Sequence, residues 1–246
     1  MGSNTWGEKV AAAYDAASAF MFDPEVLDPA VNLLETLAEG GPVLELAIGT
    51  GRVALPLSRK GIKVHGIELS PHMVEELRKK PGADAIAVTI GDMTAARAPD
   101  QYTLVYLVWN AIMNVTTQAE QTAVFRNAAD HLKPGGRFVI EVMVPQLRRV
   151  PPGEVARVFQ MEPDHVGIDT YDDLVGQIAS SHHWMVVNGR LVHHAAPYRY
   201  VWPSELDLMA QIAGLELEDR WSDWRRHPFT SESGFQVAVF KRPKMP

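Results

Sequence analysis

The sequence predicts an α/β fold: a doubly wound, mostly parallel sheet with an antiparallel β insert after its fifth strand. Three observations predict it. Strand-like apolar runs alternate with helical patterns through residues 8–145, which argues for parallel strands joined by crossover helices. The first of these runs, Val43-Leu-Glu-Leu-Ala-Ile-Gly-Thr-Gly-Arg52, ends in a glycine turn and passes into a helical pattern. Such a strand, tight turn and helix start let the backbone approach a nucleotide-like ligand closely. After Pro145 the alternation stops, and Pro151-Pro152-Gly153 opens a strand-rich stretch lasting to about Pro203.

Taken in order, residues 8–20 read as an alanine-rich helix. Asp28-Pro29 supplies a cap and a first-turn proline for a second helix ending at Gly40-Gly41. Strands near 43–47, 62–67, 85–90, 102–108 and 137–144 alternate with helices near 51–60, 71–80 and 117–132. Ser70-Pro71 starts one helix, and Thr117-x-x-Glu120 reads as a capping box for another. Within the insert, Asn188-Gly189 between two strand-like runs signals a two-residue hairpin. Its register sets Val187 opposite Arg190, His183 opposite His194 and Trp184 opposite His193. Ser204 then caps a helix to about Ala213, and strands near 215–221 and 234–241 close the sheet. The expectation is one domain over 1–246, with a core of 8–145 and 204–246 and an insert of about 146–203 across the sheet's C-terminal edge.

Bulk properties narrow the function. A net charge of −7 over 246 residues argues against a nucleic-acid substrate, which demands a basic face. The chain has no cysteine, so disulfides, iron–sulfur clusters and thiolate zinc sites are excluded, as is any chemistry that needs a thiol. No basic segment followed by an apolar one opens the chain, and no secretion signal is expected. The longest apolar stretch, Tyr102 to Val115, contains two asparagines and falls short of the ~20 residues of a membrane span. A cytoplasmic location is expected.

Glu68 follows the glycine turn at about the 20-residue spacing at which an acid on the next strand tip accepts hydrogen bonds from a ribose diol. Gly49-x-Gly51-x-x-Ala54 also fits the dinucleotide fingerprint, so a nicotinamide-dependent oxidoreductase is the alternative. Glu45 separates the two. A carboxylate beside the turn repels a pyrophosphate but suits a cationic ligand, and S-adenosylmethionine carries an ammonium, a sulfonium and a ribose diol with no phosphate. A plain strand–turn–helix joint would need the glycines only for their backbone angles.

Glu45-Leu-Ala-Ile-Gly-Thr-Gly51 resembles the first motif of class I S-adenosylmethionine-dependent methyltransferases, with Ala47 where the family commonly has its first glycine. Glu68-Leu-Ser-Pro-His-Met73 is similar to the second motif, Gly91-Asp92-Met93 to the segment bordering the adenine, and Leu132-Lys-Pro-Gly-Gly-Arg-Phe-Val-Ile140 to the turn and fifth strand. The resemblance covers roughly residues 8–145 in the family's order. Tyr14-Asp15 is similar to the leading helix of small-molecule members, including sugar-amine N-methyltransferases of antibiotic pathways. The resemblance implies a Rossmann-like sheet, S-adenosylmethionine as cofactor, and methyl transfer to an oxygen or nitrogen of a small-molecule acceptor. It implies cofactor contacts from Tyr14, Glu45, Ala47, Gly49, Gly51, Arg52, Glu68, Leu69, Met73, Asp92, Met93 and Val108. A catalytically silent S-adenosylmethionine binder remains a third reading.

In-line methyl transfer mainly requires alignment at roughly 3–3.5 Å and exclusion of water, with a base only when the nucleophile arrives protonated. The loop after the fourth strand, Val108-Trp-Asn-Ala-Ile-Met-Asn114, lacks the Asn/Asp-Pro-Pro-aromatic motif of enzymes that methylate base or glutamine nitrogens. Sugar-amine enzymes similar to this one carry a histidine near the position of Asn114. Acceptor contacts are expected from Trp109, Asn110, Asn114, His183, Tyr198 and Arg199, and the catalytic candidates are Tyr14, Asn114 and His183. Adjacent histidines in a strand point to opposite faces. Only His183 and His194 then share a face across the hairpin, too few ligands for a metal, and none is expected. The alternating insert strands would also suit a homodimer interface.

Overall fold

Two Asp-Pro pairs compete to start the second helix, and the earlier one wins. The computed structural model describes residues 7–187 and 189–244; the chain's first six residues, on which the expected lack of a signal was partly read, and Asn188 of the hairpin lie outside them. Helix α1 (Glu8–Ala17) passes into a 3-10 turn at Ala19–Phe22, and α2 runs Pro24–Ala38. Asp23 caps α2 by accepting the Glu25 N–H at 2.9 Å. Pro29, expected in the first turn, is therefore inside the helix. A proline there leaves the carbonyl four residues back without its donor. That carbonyl belongs to Glu25, and Arg225 Nη2 donates to it at 2.9 Å.

The core strands are β1 (Val43–Leu46), β2 (Val64–Glu68), β3 (Ala87–Ile90), β4 (Tyr102–Leu107) and β5 (Leu132–Met143). Between them lie α3 (Ala54–Arg59), α4 (Pro71–Arg78) and α5 (Gln118–His131). Ser70 Oγ accepts the Met73 N–H at 3.3 Å and Thr117 Oγ1 the Glu120 N–H at 3.2 Å, the two caps that the sequence signals. The insert forms β6 (Ala156–Glu162), β7 (His165–Asp173), β8 (Ile178–Val187) and β9 (Arg190–Arg199), followed by α6 (Pro203–Ile212), β10 (Glu216–Trp221) and β11 (Phe235–Lys241). Helix α6 starts at Pro203 with Trp202 at its cap position, so Ser204 caps nothing. Proline presets the first-turn angle and has no N–H to satisfy there.

The seven-stranded sheet has the order β10-β11-β5-β4-β1-β2-β3, parallel except for β11, which runs antiparallel to β5 and β10. The chain winds outward from β1 to β3, then returns to the other side of β1 as β4. The crevice at such a reversal, outside the carboxyl ends of the strands, is where open α/β sheets bind ligands. Both faces are covered. Phe125 packs edge-on against Phe138 and Phe240 at 5.1 and 5.6 Å on one side, while Leu34, Leu57 and Tyr106 fill the other. Burial on both faces explains why β1 reads as a continuous apolar run broken only by Glu45.

The insert is an antiparallel meander, β6-β7-β8-β9, in the register expected for its hairpin: Val187 opposite Arg190, His183 opposite His194 and Trp184 opposite His193. Ala179, Tyr198 and Tyr200 pack it onto the core. Arg199, expected at the acceptor, is instead buried in this joint. Its guanidinium donates to Glu205 Oε1 at 2.7 Å and to Gln121 Oε1 at 2.5 Å, tying β9 to α5 and α6. Sequence alone shows an Arg at a strand end; only the packing of α6 brings Glu205 against it. Among the described residues no helix is long and apolar enough to cross a membrane.

Replacing Arg199 with Ala strands the Glu205 carboxylate in a buried joint and is expected to cost about 3–5 kcal/mol. Urea unfolding with an unchanged slope and a lowered midpoint would show it. A loss below about 1 kcal/mol, the worth of an exposed pair, would show that the ion pair does not hold the insert.

Candidate functional site

A cavity of about 880 Å³ opens at the tips of β1 and β4. The end of α1 and the 3-10 turn after it (Tyr14, Ser18, Phe20, Met21) wall one side, and the insert walls the other. Its core half holds Tyr14, Glu45, Ala47, Gly49, Arg52, Glu68, Met73 and Val108.

Glu68 ends β2 and turns its carboxylate into the glycine turn. Oε2 accepts the Gly49 N–H at 2.8 Å and Oε1 the Ser70 N–H at 2.9 Å. Burial raises its pKa, and the backbone donors pull it back. The Gly49, Leu69 and Ser70 backbone thus anchors the carboxylate at the cavity wall, and a carboxylate, with about four acceptor sites, can also take a hydroxyl. Glu45, 3% exposed, takes the Tyr106 hydroxyl at 2.8 Å from the neighbouring strand. Burial pushes it up to about 8 against the opposing pull of that hydrogen bond. A buried acid held near neutrality ionises when a cation approaches. These acids fit a ligand bearing an ammonium and a diol.

The two glycines differ. Gly49 (φ 55°) donates its N–H to Glu68 and lines the cavity. Gly51 (φ 79°) is absent from the lining, and a Cβ on it would lie 2.4 Å from Leu77 Cδ1. Its lack of a side chain lets α4 approach the turn. Ala47 occupies the left-handed region at φ 54°, which accounts for the glycine similar enzymes have there.

A smaller recess of about 60 Å³ continues the cleft and is lined by Leu69, Asp92 and Met93, with Ala47, Glu68 and Asn114 shared with the main cavity. Asp92 Oδ1 is taken by the Thr94 N–H and hydroxyl at 2.8 and 2.7 Å. Asn127 Nδ2 fixes the Met93 and Ala96 carbonyls.

Trp109 and Asn110 both hold left-handed backbone, φ 55° and 59°, at the end of β4. Such angles persist only where surroundings enforce them. Here the Trp109 N–H donates to Glu141 Oε2 at 2.8 Å, and Asn110 Oδ1 accepts the Met143 N–H at 2.7 Å. Asn110 lines the cavity, but its carbonyl oxygen shapes the loop, which narrows the acceptor role expected of it. The Trp109 ring lies between Phe20 at 5.7 Å and the Arg52 guanidinium at 5.5 Å.

The insert half holds Arg157, Phe159, His165, Asp169, Ser181, His183 and Tyr198. His183 Nδ1 lies 2.8 Å from His165 Nε2, and its Nε2 lies 3.3 Å from Ser181 Oγ. Burial and the neighbouring imidazole of His165 hold its pKa down. His183 thus meets His165 on β7, a partner no hairpin register could supply. His182 and His193 stack with Trp184 on the opposite face. No group of three His, Cys, Asp or Glu among the described residues could hold a metal ion. Asp169, His165, Phe159 and the 3-10 turn escaped sequence reading because no local motif marks them; alternation could have placed Asp169 and His165 on one face once β7 was delimited.

Residues 43–136 match the methyltransferase domain family. Over 248 residues the chain is 26% identical to the cypemycin N-terminal methyltransferase of a Streptomyces species, covering 97% of this chain and 98% of the relative. The CcbJ methyltransferase of Streptomyces caelestis superposes with a TM-score of 0.85 at 31% identity, over 99% of this chain and 100% of that one. In fold, the chain also resembles S-adenosylmethionine-bound CalS10, an amino pentose methyltransferase of Micromonospora echinaspora (TM-score 0.67, 21% identity, 88% and 91% covered).

Replacing Glu68 with Ala should weaken S-adenosylmethionine binding at least tenfold, since each charge-assisted hydrogen bond is worth about 1.5–3 kcal/mol. Calorimetry showing unchanged affinity would remove Glu68 from the diol. A second expectation concerns protons. The ligand's ammonium favours ionised Glu45, whose carboxyl is mostly protonated below about pH 8. Binding at pH 6.5 should therefore release about one proton, the difference in bound protons between the two states. Titrations in buffers of different ionisation heat would measure it, and Glu45→Gln should abolish it. Equal release by that variant would assign the proton elsewhere.

Proposed function

The chain belongs to the class I S-adenosylmethionine-dependent methyltransferases, and from that membership we propose that it methylates an amine nitrogen of a small molecule held between the loop after β4 and the insert. The observation that carries this is the continuity of one cavity from Glu45 and Glu68 to His183 and Tyr198. The names of similar proteins support nitrogen: one acts at the N-terminus of cypemycin, another on an amino pentose. When bound, the donor supplies a methyl carbon activated by positive sulfur.

The chain's own residues supply position and dryness. Glu68 and Glu45 would hold the donor's diol and ammonium, Arg52 its carboxylate, and the recess of Leu69, Asp92 and Met93 its adenine. The Phe20 and Trp109 rings, 5.7 Å apart, line the cavity and would help exclude water around a bound donor, which strengthens the charge interactions inside. The acceptor would rest against Trp109, Asn114, Tyr198 and His183. His183, kept neutral by burial, is within reach to accept a proton, and the His165 imidazole beside it can pass that proton on. Tyr14, with its pKa raised by burial, serves better as a hydroxyl donor than as a base.

The net charge of −7 leaves nucleic acid out of the proposal, and the reaction belongs in the cytoplasm, where its donor is made. The core of 8–145 and 204–246 and the insert of 146–203 work as one domain. The insert has a second reading as a homodimer interface, favoured by Met161 and Leu191, which are about 70% exposed on its two edge strands.

Methyl-labelled donor incubated with small amines and their hydroxyl counterparts should place label on nitrogen, and chelation should leave turnover unchanged. His183→Asn is expected to lower kcat at least tenfold while donor affinity stays within twofold, a base being worth roughly 10²–10⁴ in rate. Label found only on oxygen would refute the nitrogen assignment. Total absence of transfer would favour a silent binder. A dimer lost in the His183 variant, with full turnover per folded subunit, would favour the interface.

A further inference from the structure

Resting on the amine-acceptor reading and going one step beyond it, we propose that Asp169 is the anchor for the acceptor's ammonium group. Three acidic residues are buried by whole-residue exposure among the described residues, Glu45, Glu68 and Asp169, and all three line this one cavity. The methyl donor carries one ammonium and one diol, which Glu45 and Glu68 take. Asp169 is left over, on β7, in the insert half.

Its surroundings are built for a cation. Ser181 is its register partner on β8, and the Ser181 and Tyr198 hydroxyls lie on the same face and favour the charged carboxylate. Arg157, its register partner on β6, acts on it only through space. His183 is turned to His165 and Ser181, and burial disfavours its charged form, while His182 stacks with Trp184 and His193 on the other face and acts on Asp169 only through space. An acid 6% exposed with no ion pair is a standing cost, and an ammonium docked beside it removes that cost. Phe159 provides an aromatic wall of the kind that attracts cations. It lies over β7 because residue 167 is glycine, where a Cβ would sit 2.4 Å from the Phe159 ring. The Phe159 and His183 rings then meet edge to face at 5.4 Å beside Asp169.

Glu141, half-buried, shows what a structural acid looks like here. Its two oxygens are taken by the Trp109 N–H at 2.8 Å and the Trp224 indole N–H at 2.6 Å, and it does not line the cavity. Asp169 instead lines the cavity, with the Ser181 and Tyr198 hydroxyls as its polar neighbours and no ion pair.

Ligand-observed NMR on the full chain saturated with S-adenosylhomocysteine tests the anchor. The probes are benzylamine, piperidine and tyramine, against benzyl alcohol, tetrahydropyran and tyrosol. The unmodified enzyme should prefer each amine at least tenfold. Alcohols binding as tightly as amines would overturn the proposal without any variant. Asp169→Asn, which keeps an acceptor for Ser181 and Tyr198, should reduce the preference below twofold while affinity for S-adenosylhomocysteine stays within twofold. A retained preference, or loss of S-adenosylhomocysteine binding as well, overturns the anchor. Methyl-labelled donor separates the two levels. Amines captured through Asp169 that gain no label sink the amine-acceptor assignment and support the anchor as a binding site. Amines that are methylated with unchanged kcat/KM in the Asn variant sink the anchor alone.

Discussion

The Glu68 carboxylate ties together three segments that are far apart in the chain. One oxygen holds the Gly49 N–H of the turn after β1, the other holds the Ser70 N–H at the start of α4, and the side chain itself ends β2. The turn after β1 is thereby fixed relative to the next strand tip and to the helix beyond it. Gly51 completes the joint by letting Leu77 of α4 pack directly on the turn. If Glu68 moved, the floor of the cavity, the position of Glu45 and the seat of α1 would move with it. Helix α1 is itself latched to the turn, since the Thr50 hydroxyl donates to Asp15 Oδ1 at 2.6 Å and Lys80 pairs with Asp15 while holding the Thr50 carbonyl at 2.8 Å.

Charge withdrawn wholly or partly from solvent divides into two kinds. Arg199 and Glu141 are satisfied by protein partners, and both serve the frame: one fastens the insert to α5 and α6, the other enforces the left-handed pair Trp109-Asn110. Glu45, Glu68 and Asp169 are only partly satisfied and face one cavity. In a medium of low dielectric an incompletely paired carboxylate is costly, so a fold that keeps three of them around one space is arranged for ligands with positive or hydroxyl groups. Glu45 is the extreme case, pushed up to about 8 by burial.

The insert adds a second wall to the cavity at the carboxyl edge of the sheet. Its strands β7 and β8 supply His165, Asp169, Ser181 and His183 from alternate positions of one face. A strand platform fixes each side chain within one register, while the outer face is free to carry the His182–Trp184–His193 stack. Function on such a scaffold is carried by what the insert presents, because the sheet and glycine turn are shared among enzymes with many acceptors.

The sequence by itself determined whatever repeats at short range. Alternating strand and helix periods gave the doubly wound sheet, Ser70 and Thr117 gave their caps, the Asn-Gly pair gave the insert's register, and the spacing of Glu45, Gly49 and Glu68 pointed to the donor pocket. Each of these depends on interactions within a few residues or on a fixed strand–turn–helix geometry. Tertiary structure decided the rest. Pro29 was tolerated inside α2 because Arg225, 196 residues later by number, satisfies the carbonyl it frees. Arg199 became a fastener because α6 folds back to bring Glu205 against it. Asp169 and His165 entered the cavity because β7 is an inner strand of the insert whose face turns to the core. Which of two strand faces meets a given surface depends on packing between distant segments, and no local pattern of residues encodes that.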